Sequence, residues 1–339
     1  MPVTKSATSS STLPIISFSD FRDDDPAGKD RVAQEIGEAC ENVGFLYLTD
    51  HGVPQATIDR VFAASKEFFA LPTEVKHDPR LRSSPEWNRG YQPFGVKQYA
   101  NATSPDLNEV FKYQRELAFD DPDILDGTRV HRLNKWPDEK AISPQWRDTL
   151  LEYFGEMEKL SARLLHAFAL ALDLPESYFD KFYRKPITQM SLVHYPPQPP
   201  KTATDYGIRP HADDTSFTIL AQDSVGGLQV QSGDEWIDAR PIPGAFVINI
   251  GNVMARWTHD RFASTMHRVY NHTGKERYSA PFFAIPDFDT VIECLPGCLQ
   301  PGESPKFPPM HVGQSLQQRF SSNWSGKNTT PDTVGAAKA

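Results

Sequence analysis

The sequence predicts a mainly β fold with flanking helices, in which an antiparallel sandwich or barrel follows a helical N-terminal part. Three observations carry this reading. The 29 prolines in 339 residues require many turns and argue against a helical bundle. After Gln189, short apolar runs recur between clusters of Gly, Pro and Asp, as in an antiparallel sheet. Before that point the clearest apolar periodicity is helical.

The first element is a strand in Pro14-Ile-Ile-Ser-Phe18. A helix over 29–42 follows, because Val32, Ile36 and Ala39 or Cys40 share one face, and Gly44 suits its C-terminal cap. Phe45-Leu-Tyr-Leu48 reads as a short buried strand, and Pro54 opens a helix carrying Ile58, Val61, Phe62 and Phe68. Residues 77–104 lack sustained periodicity and form a long loop with short strands. Over 144–172, Leu151, Phe154, Met157, Leu160, Leu164, Phe168 and Leu172 keep one apolar stripe, which predicts a long helix lying across a sheet. The later strands are expected in 190–195, 217–221, 228–231, 236–239 and 246–250, with Ser232-Gly-Asp-Glu235 as a hairpin turn. One domain is expected over 14–326, with its helical part over 14–185, its core over 186–290 and a C-terminal lid or helix over 310–322. Residues 1–13 and 327–339 read as a disordered leader and tail.

A net charge of -9 gives no footprint for nucleic acid or an anionic membrane, so a small molecule is the expected partner. No stretch approaches the length of a membrane span. Three cysteines without zinc-site spacing fit a reduced, cytoplasmic setting. A monomer or weak homodimer is expected.

The chemistry lies in His211-Ala-Asp213. On an extended strand both side chains leave the same face and could share one ion, although His-x-Asp alone is weak evidence. His267 opens another candidate strand. Two imidazoles and one carboxylate make the facial triad of non-haem Fe(II) oxygenases, whose open positions admit a co-substrate and O2. Ten positions on, Arg277-Tyr-Ser279 puts a guanidinium fork and a hydroxyl on one strand face, suited to the far carboxylate of a keto dicarboxylic acid; read alone, Arg277 fits a salt bridge.

These residues resemble the 2-oxoglutarate and Fe(II)-dependent dioxygenase superfamily, in its isopenicillin N synthase-like branch. The matching elements are His194-Tyr-Pro-Pro197, Pro210-His-Ala-Asp213, Gln222-Asp-Ser-Val-Gly-Gly-Leu-Gln-Val230, Asn249-Ile-Gly251, Ser264-Thr-Met-His-Arg-Val269 and Arg277-Tyr-Ser279. The resemblance implies a distorted double-stranded β-helix, or jelly roll, with iron on His211, Asp213 and His267. It also implies 2-oxoglutarate on Arg277 and Ser279, with a further hydrogen bond from Tyr195. Fe(II), 2-oxoglutarate and O2 are the expected cofactors and co-substrates, with ascorbate supporting activity. Hydroxylation of an unactivated C–H bond is the expected outcome; desaturation, cyclisation and ring expansion branch from the same chemistry.

Substrate contacts are expected at Arg89, Tyr91, Phe111, Tyr113 and Phe283, because pockets of the family are lined from those places. Asp214 joins them if a bulge aims it inward; strand alternation would turn it away, and His194 reads as a packed histidine. Two rivals stay open. One is a same-fold Fe(II) oxidase that does not use 2-oxoglutarate, and the other is a non-catalytic jelly-roll binding protein.

Overall fold

The N-terminal part and the later strand-rich part build one sheet. The computed structural model describes residues 12–84, 88–95, 105–127, 130–197, 206–271 and 273–325. In chain order the elements are β1 (Ile15–Ser17), α1 (Pro26–Asn42), β2 (Phe45–Thr49), α2 (Gln55–Phe69), α3 (Thr73–Lys76), β3 (Gly90–Gln92), β4 (Glu109–Gln114), α4 (Pro122–Asp126) and α5 (Trp146–Ala171). After a 3-10 segment (Glu176–Phe182) come β5 (Gln189–Tyr195), β6 (Ile208–His211), β7 (Phe217–Gln222), β8 (Leu228–Ser232), β9 (Glu235–Asp238), β10 (Phe246–Ile250) and α6 (Asn252–Trp257). The chain continues with β11 (His267–Val269), β12 (Arg277–Ala284), β13 (Val291–Ile292), β14 (Met310–His311) and α7 (Val312–Ser325).

The larger sheet has eight strands in the order β1-β2-β10-β7-β12-β5-β4-β3, and it faces a four-stranded sheet ordered β6-β11-β8-β9. Apart from parallel β1 and β2, the paired strands are antiparallel. The jelly-roll core is therefore as expected, but the N-terminal part is less helical than its periodicity suggests. It supplies both edges of the large sheet, β1-β2 and β4-β3. In β4, Glu109-Val-Phe-Lys-Tyr-Gln mixes polar residues onto both faces, which erases the alternation that would betray a strand. Residues 1–11 and 326–339 lie outside the described residues, and Leu13, read as leader, is buried between the two sheets.

Helices cover one face of the large sheet. Phe68 of α2, Phe111 of β4 and Trp146 of α5 pack together with centroids 4.7 to 5.6 Å apart in this layer. Such complete burial makes a Phe111→Ala truncation cost about 3–5 kcal/mol. The α1 helix ends as its Gly44 predicts: that residue has φ +71, and its N–H donates to the Ala39 carbonyl. A Cβ there would also strike the Ala263 carbonyl oxygen.

The sheet's other face looks inward to the small sheet. By register this inner face carries Lys112 and Gln114 of β4, Gln189 and Tyr195 of β5, Arg277, Ser279 and Phe283 of β12, Thr218 of β7 and Asn249 of β10. Polar side chains on an inner face need partners or a ligand.

Candidate metal and co-substrate site

His211 ends β6 and His267 opens β11, and these residues are direct partners across the small sheet. Their ring centroids are 4.3 Å apart. Asp213 does not lie on the strand. β6 stops at His211, so the carboxylate arrives by a turn rather than by strand alternation. His211 Nε2 is 3.7 Å from one Asp213 oxygen and His267 Nε2 is 3.8 Å from the other. One ligand atom from each residue falls within 4.8 Å of the rest, a spacing that fits one shared metal ion.

Each potential ligand is held from behind. His211 Nδ1 is 2.8 Å from the Arg209 carbonyl and His267 Nδ1 is 3.2 Å from the Thr265 carbonyl. A carbonyl only accepts, so both Nδ1 atoms carry the hydrogen and both Nε2 lone pairs face the group's centre. The Thr218 hydroxyl and the Asn249 amide donate to Asp213 Oδ2 at 2.7 and 2.9 Å. Burial acts to raise the Asp213 pKa, but the two imidazoles and these hydrogen bonds outweigh it and hold the carboxyl below its ordinary value. The backbone amides of Gly251, Asn252 and Val253 donate to the carbonyls of Ser216, Asp213 and Thr215 and clamp the turn. Gly251 has to be glycine for this approach, since a Cβ would meet the Thr215 carbonyl.

Arg277 is fully buried in the same interior. Its guanidinium lies 4.6 Å from the centroid of the Tyr195 ring, its strand partner. Its polar contacts are long: 3.4 Å to Ser279 Oγ and 3.5 Å to Gln222 Oε1, with Nε unpartnered. Among the described residues no carboxylate reaches it. A buried guanidinium without a counter-ion is costly, so this pocket suits an anion. Burial pushes the Tyr195 hydroxyl pKa up against the opposing charge of Arg277.

The expected substrate contacts divide. Phe283 lies on the inner face, between Gln189 and Thr218. Tyr91, Phe111 and Tyr113 lie on the opposite face, packed into the helix-side core, where their register with Leu192 and Met190 turns them from the site. Arg89 is fully buried, with Nη1 3.1 Å from the Asn88 carbonyl. Burial lowers its pKa to about 9, with the charge of Arg132 acting the same way. Asp214 accepts from Asn252 Nδ2 at 2.7 Å and pairs with Arg319 of α7, so it ties that helix to the turn instead of facing the site. His194 is a packed histidine, stacked on Tyr278 and 2.7 Å from Glu109.

Sequence reasoning left Thr218, Asn249, Asn88, Gln92, Lys112 and Gln189 without roles. The signal for the first two was polar residues at matching depth in two apolar strands. For the others no signal existed before the register of β3, β4 and β5 was known.

The jelly roll with an inward His-Asp-His group defines a non-haem iron oxygenase. Residues 187–286 match the 2OG-Fe(II) oxygenase superfamily, and residues 13–139 match the family described as non-haem dioxygenase in morphine synthesis N-terminal. A 2-oxoglutarate-Fe(II) type oxidoreductase, hxnY of Emericella nidulans, is 37% identical over 317 residues, spanning 92% of this chain and 90% of its own. The 2-oxoglutarate-dependent dioxygenase citB of Monascus ruber is 34% identical over 303 residues, spanning 87% and 90%. The crystal structure of a full-length Neurospora crassa protein in complex with alpha-KG and thymine is similar at a TM-score of 0.82 and 30% identity, covering 92% of this chain and 97% of that one. The chain belongs to the 2OG-Fe(II) oxygenase superfamily, and it is a 2-oxoglutarate-dependent, iron-dependent oxidoreductase. The rival readings are not favoured. Among the described residues no helix is long and apolar enough to cross a membrane.

Proposed function

We propose that His211, Asp213 and His267 hold the iron and that Arg277, Ser279 and Tyr195 hold the far carboxylate of 2-oxoglutarate. In this reading a single domain over 14–326 hydroxylates an unactivated C–H bond of a small molecule. The observation that supports it best is the fully buried Arg277 guanidinium, which faces the same interior as the metal group and lacks an anion among the described residues. Iron, bound with the keto acid and O2, supplies an oxidant able to take hydrogen from such a bond, and the products are an alcohol, succinate and CO2.

The protein's own residues position and exclude. The Arg209 and Thr265 carbonyls orient the imidazoles, Thr218 and Asn249 orient the carboxylate, and the Arg277 fork fixes the keto acid at its far end. The apolar residues between the sheets, among them Val193, Val230 and Val247, keep water from the interior. The Neurospora crassa protein binds thymine in its complex, so small polar ring compounds are the first substrates to test. The acidic chain acts without nucleic acid, in the cytoplasm, as a monomer or weak dimer. Succinate release tests the reading: it should track substrate loss one to one, and substrate oxidation without succinate would overturn it.

A further inference from the structure

On β6, Ile208 pairs with Val269 and His211 pairs with His267, so the register slips between them. Arg209 and Pro210 together stand against the single residue Arg268 of β11, a bulge that interrupts the ladder. Pro210 also lacks an N–H, so the ladder cannot fix this stretch. Yet the stretch carries the Arg209 carbonyl, 2.8 Å from His211 Nδ1.

A side chain from the N-terminal part does the fixing. Asp106 Oδ1 accepts from Arg209 Nε at 2.9 Å and from the Arg209 backbone N–H at 3.3 Å. One carboxylate oxygen thus holds both the side chain and the backbone of Arg209, while the following proline restricts its ψ to the extended range. The Arg209 carbonyl is left with one direction. Asp106 itself arrives on a braced segment: the Leu107 N–H donates to the Tyr206 carbonyl at 3.0 Å and Asn108 Nδ2 to the Gly207 carbonyl at 2.6 Å.

The Asp106 side chain has no exposed surface, and its Oδ2 has no hydrogen-bond partner among the described residues. A buried carboxylate with an orphan oxygen is a poor stabilising device, so a positional role explains it better. The other imidazole is oriented in the same way. His267 Nδ1 is 3.2 Å from the Thr265 carbonyl, and Thr265 Oγ1 donates to the Val43 carbonyl at 2.6 Å. Both orienting residues are therefore tied by a side chain to the N-terminal part.

We propose that Asp106 is a positioning residue for the metal, acting through Arg209 to aim its carbonyl at His211 Nδ1 and so turn His211 Nε2 to the ion. This rests on the iron-site reading above. No side-chain substitution deletes the carbonyl, so Asp106 is the place where its aim can be changed.

Two measurements on the full chain test this: Co(II) titration, and NMR of the Zn(II)-loaded protein with nitrogen-labelled histidine. Asp106→Ala should weaken Co(II) binding by about tenfold or more, the loss expected when a ligand's supporting shell is removed. Its His211 Nδ1–H signal should shift or broaden while that of His267 stays in place. Asp106→Asn keeps an oxygen for both Arg209 bonds, so its Co(II) affinity should lie within about threefold of wild type. Its urea midpoint should nevertheless fall, because the Arg209 charge loses its partner and the new amide meets no acceptor. A merely structural role would make metal affinity follow the urea midpoint through both variants. Asp106→Leu, which fills the space without an acceptor, replaces Asp106→Ala under the same expectations if the latter fails to fold. Metal affinity that follows the urea midpoint, wild-type affinity in a folded Asp106→Ala or Asp106→Leu protein, or equal disturbance of both histidine signals overturns the inference. A wild-type chain that binds no stoichiometric Co(II) would instead overturn the iron-site reading.

Discussion

Replacing Arg277 with Met should leave the ligand-free protein as stable as before or more so, and should remove most of its response to 2-oxoglutarate. The guanidinium is fully buried, with polar contacts of 3.4 and 3.5 Å and an unpartnered Nε. Methionine gives up the stack on Tyr195, which lies 4.6 Å from the guanidinium and contributes about 1–2 kcal/mol when desolvated. Against that stands the burial of an unpaired charge, an effective penalty of several kcal/mol. The penalty outweighs the stack, with the sign favouring Met by roughly 0–4 kcal/mol. Ligand then separates the proteins: at a hundred times the wild-type Kd, 2-oxoglutarate stabilises wild type by about 2.7 kcal/mol and the variant by roughly 0–0.9 kcal/mol. Urea denaturation of both chains, with Mn(II) present and with or without 2-oxoglutarate, measures these quantities. Steady-state assays should show a rise in the 2-oxoglutarate KM of roughly 30- to 3,000-fold, the equivalent of a truncated buried charge pair. A ligand-free variant destabilised by more than about 2 kcal/mol would show that the guanidinium is already satisfied without an anion, and the argument for its role would fall.

Asn249→Ala should weaken Co(II) or Fe(II) binding by about 10- to 100-fold, read by metal titration, because Asp213 loses one of the two donors that orient it. Asp213→Ala should remove stoichiometric metal binding altogether, with the fold retained by circular dichroism. Asp214→Asn should leave the relative turnover of amine-bearing and neutral substrates unchanged, since Asn252 and Arg319 occupy the carboxylate. Glu109→Gln should destabilise the protein by about 3–5 kcal/mol in urea at pH 7, as it breaks a buried ion pair with Lys76 at 3.0 Å and a bond to His194 at 2.7 Å. Burial acts to raise the Glu109 pKa, but His194, Tyr91 and Lys76 outweigh it and hold it below the ordinary value of 4.5. A depressed folded pKa means that this stabilisation is present above about pH 4.5 and is lost as pH falls through the folded value. The gap between wild type and variant should therefore narrow below about pH 4.5, and a gap that stays constant from pH 7 down to about pH 2 would refute the network's ionisation.

What the sequence made legible was set by the range of the physics involved. The α5 helix repeats its apolar stripe over 26 residues, so local periodicity was enough to find it. The pairing of Arg277 with Ser279 needed only strand alternation, which their register with Tyr195 and Val193 bears out. Asp213 converges on the imidazoles by a turn, and what forms that turn is the amides of Gly251, Asn252 and Val253, almost forty residues downstream in the chain. The motif was readable there while the reason it works was not. Tyr91, Phe111 and Tyr113 show the same limit from the other side. Aromatic residues near a site suggest a pocket wall, but one step along β4 separates the inner face from the helix-side core, and Lys112 holds the inner position between Phe111 and Tyr113. Which of two alternating sets faces the iron is a question of register, and register is fixed by partners on β3 and β5 that one strand's sequence does not contain. The imidazoles and the carboxylate could therefore be named from the sequence, whereas the side chains that share their interior could not.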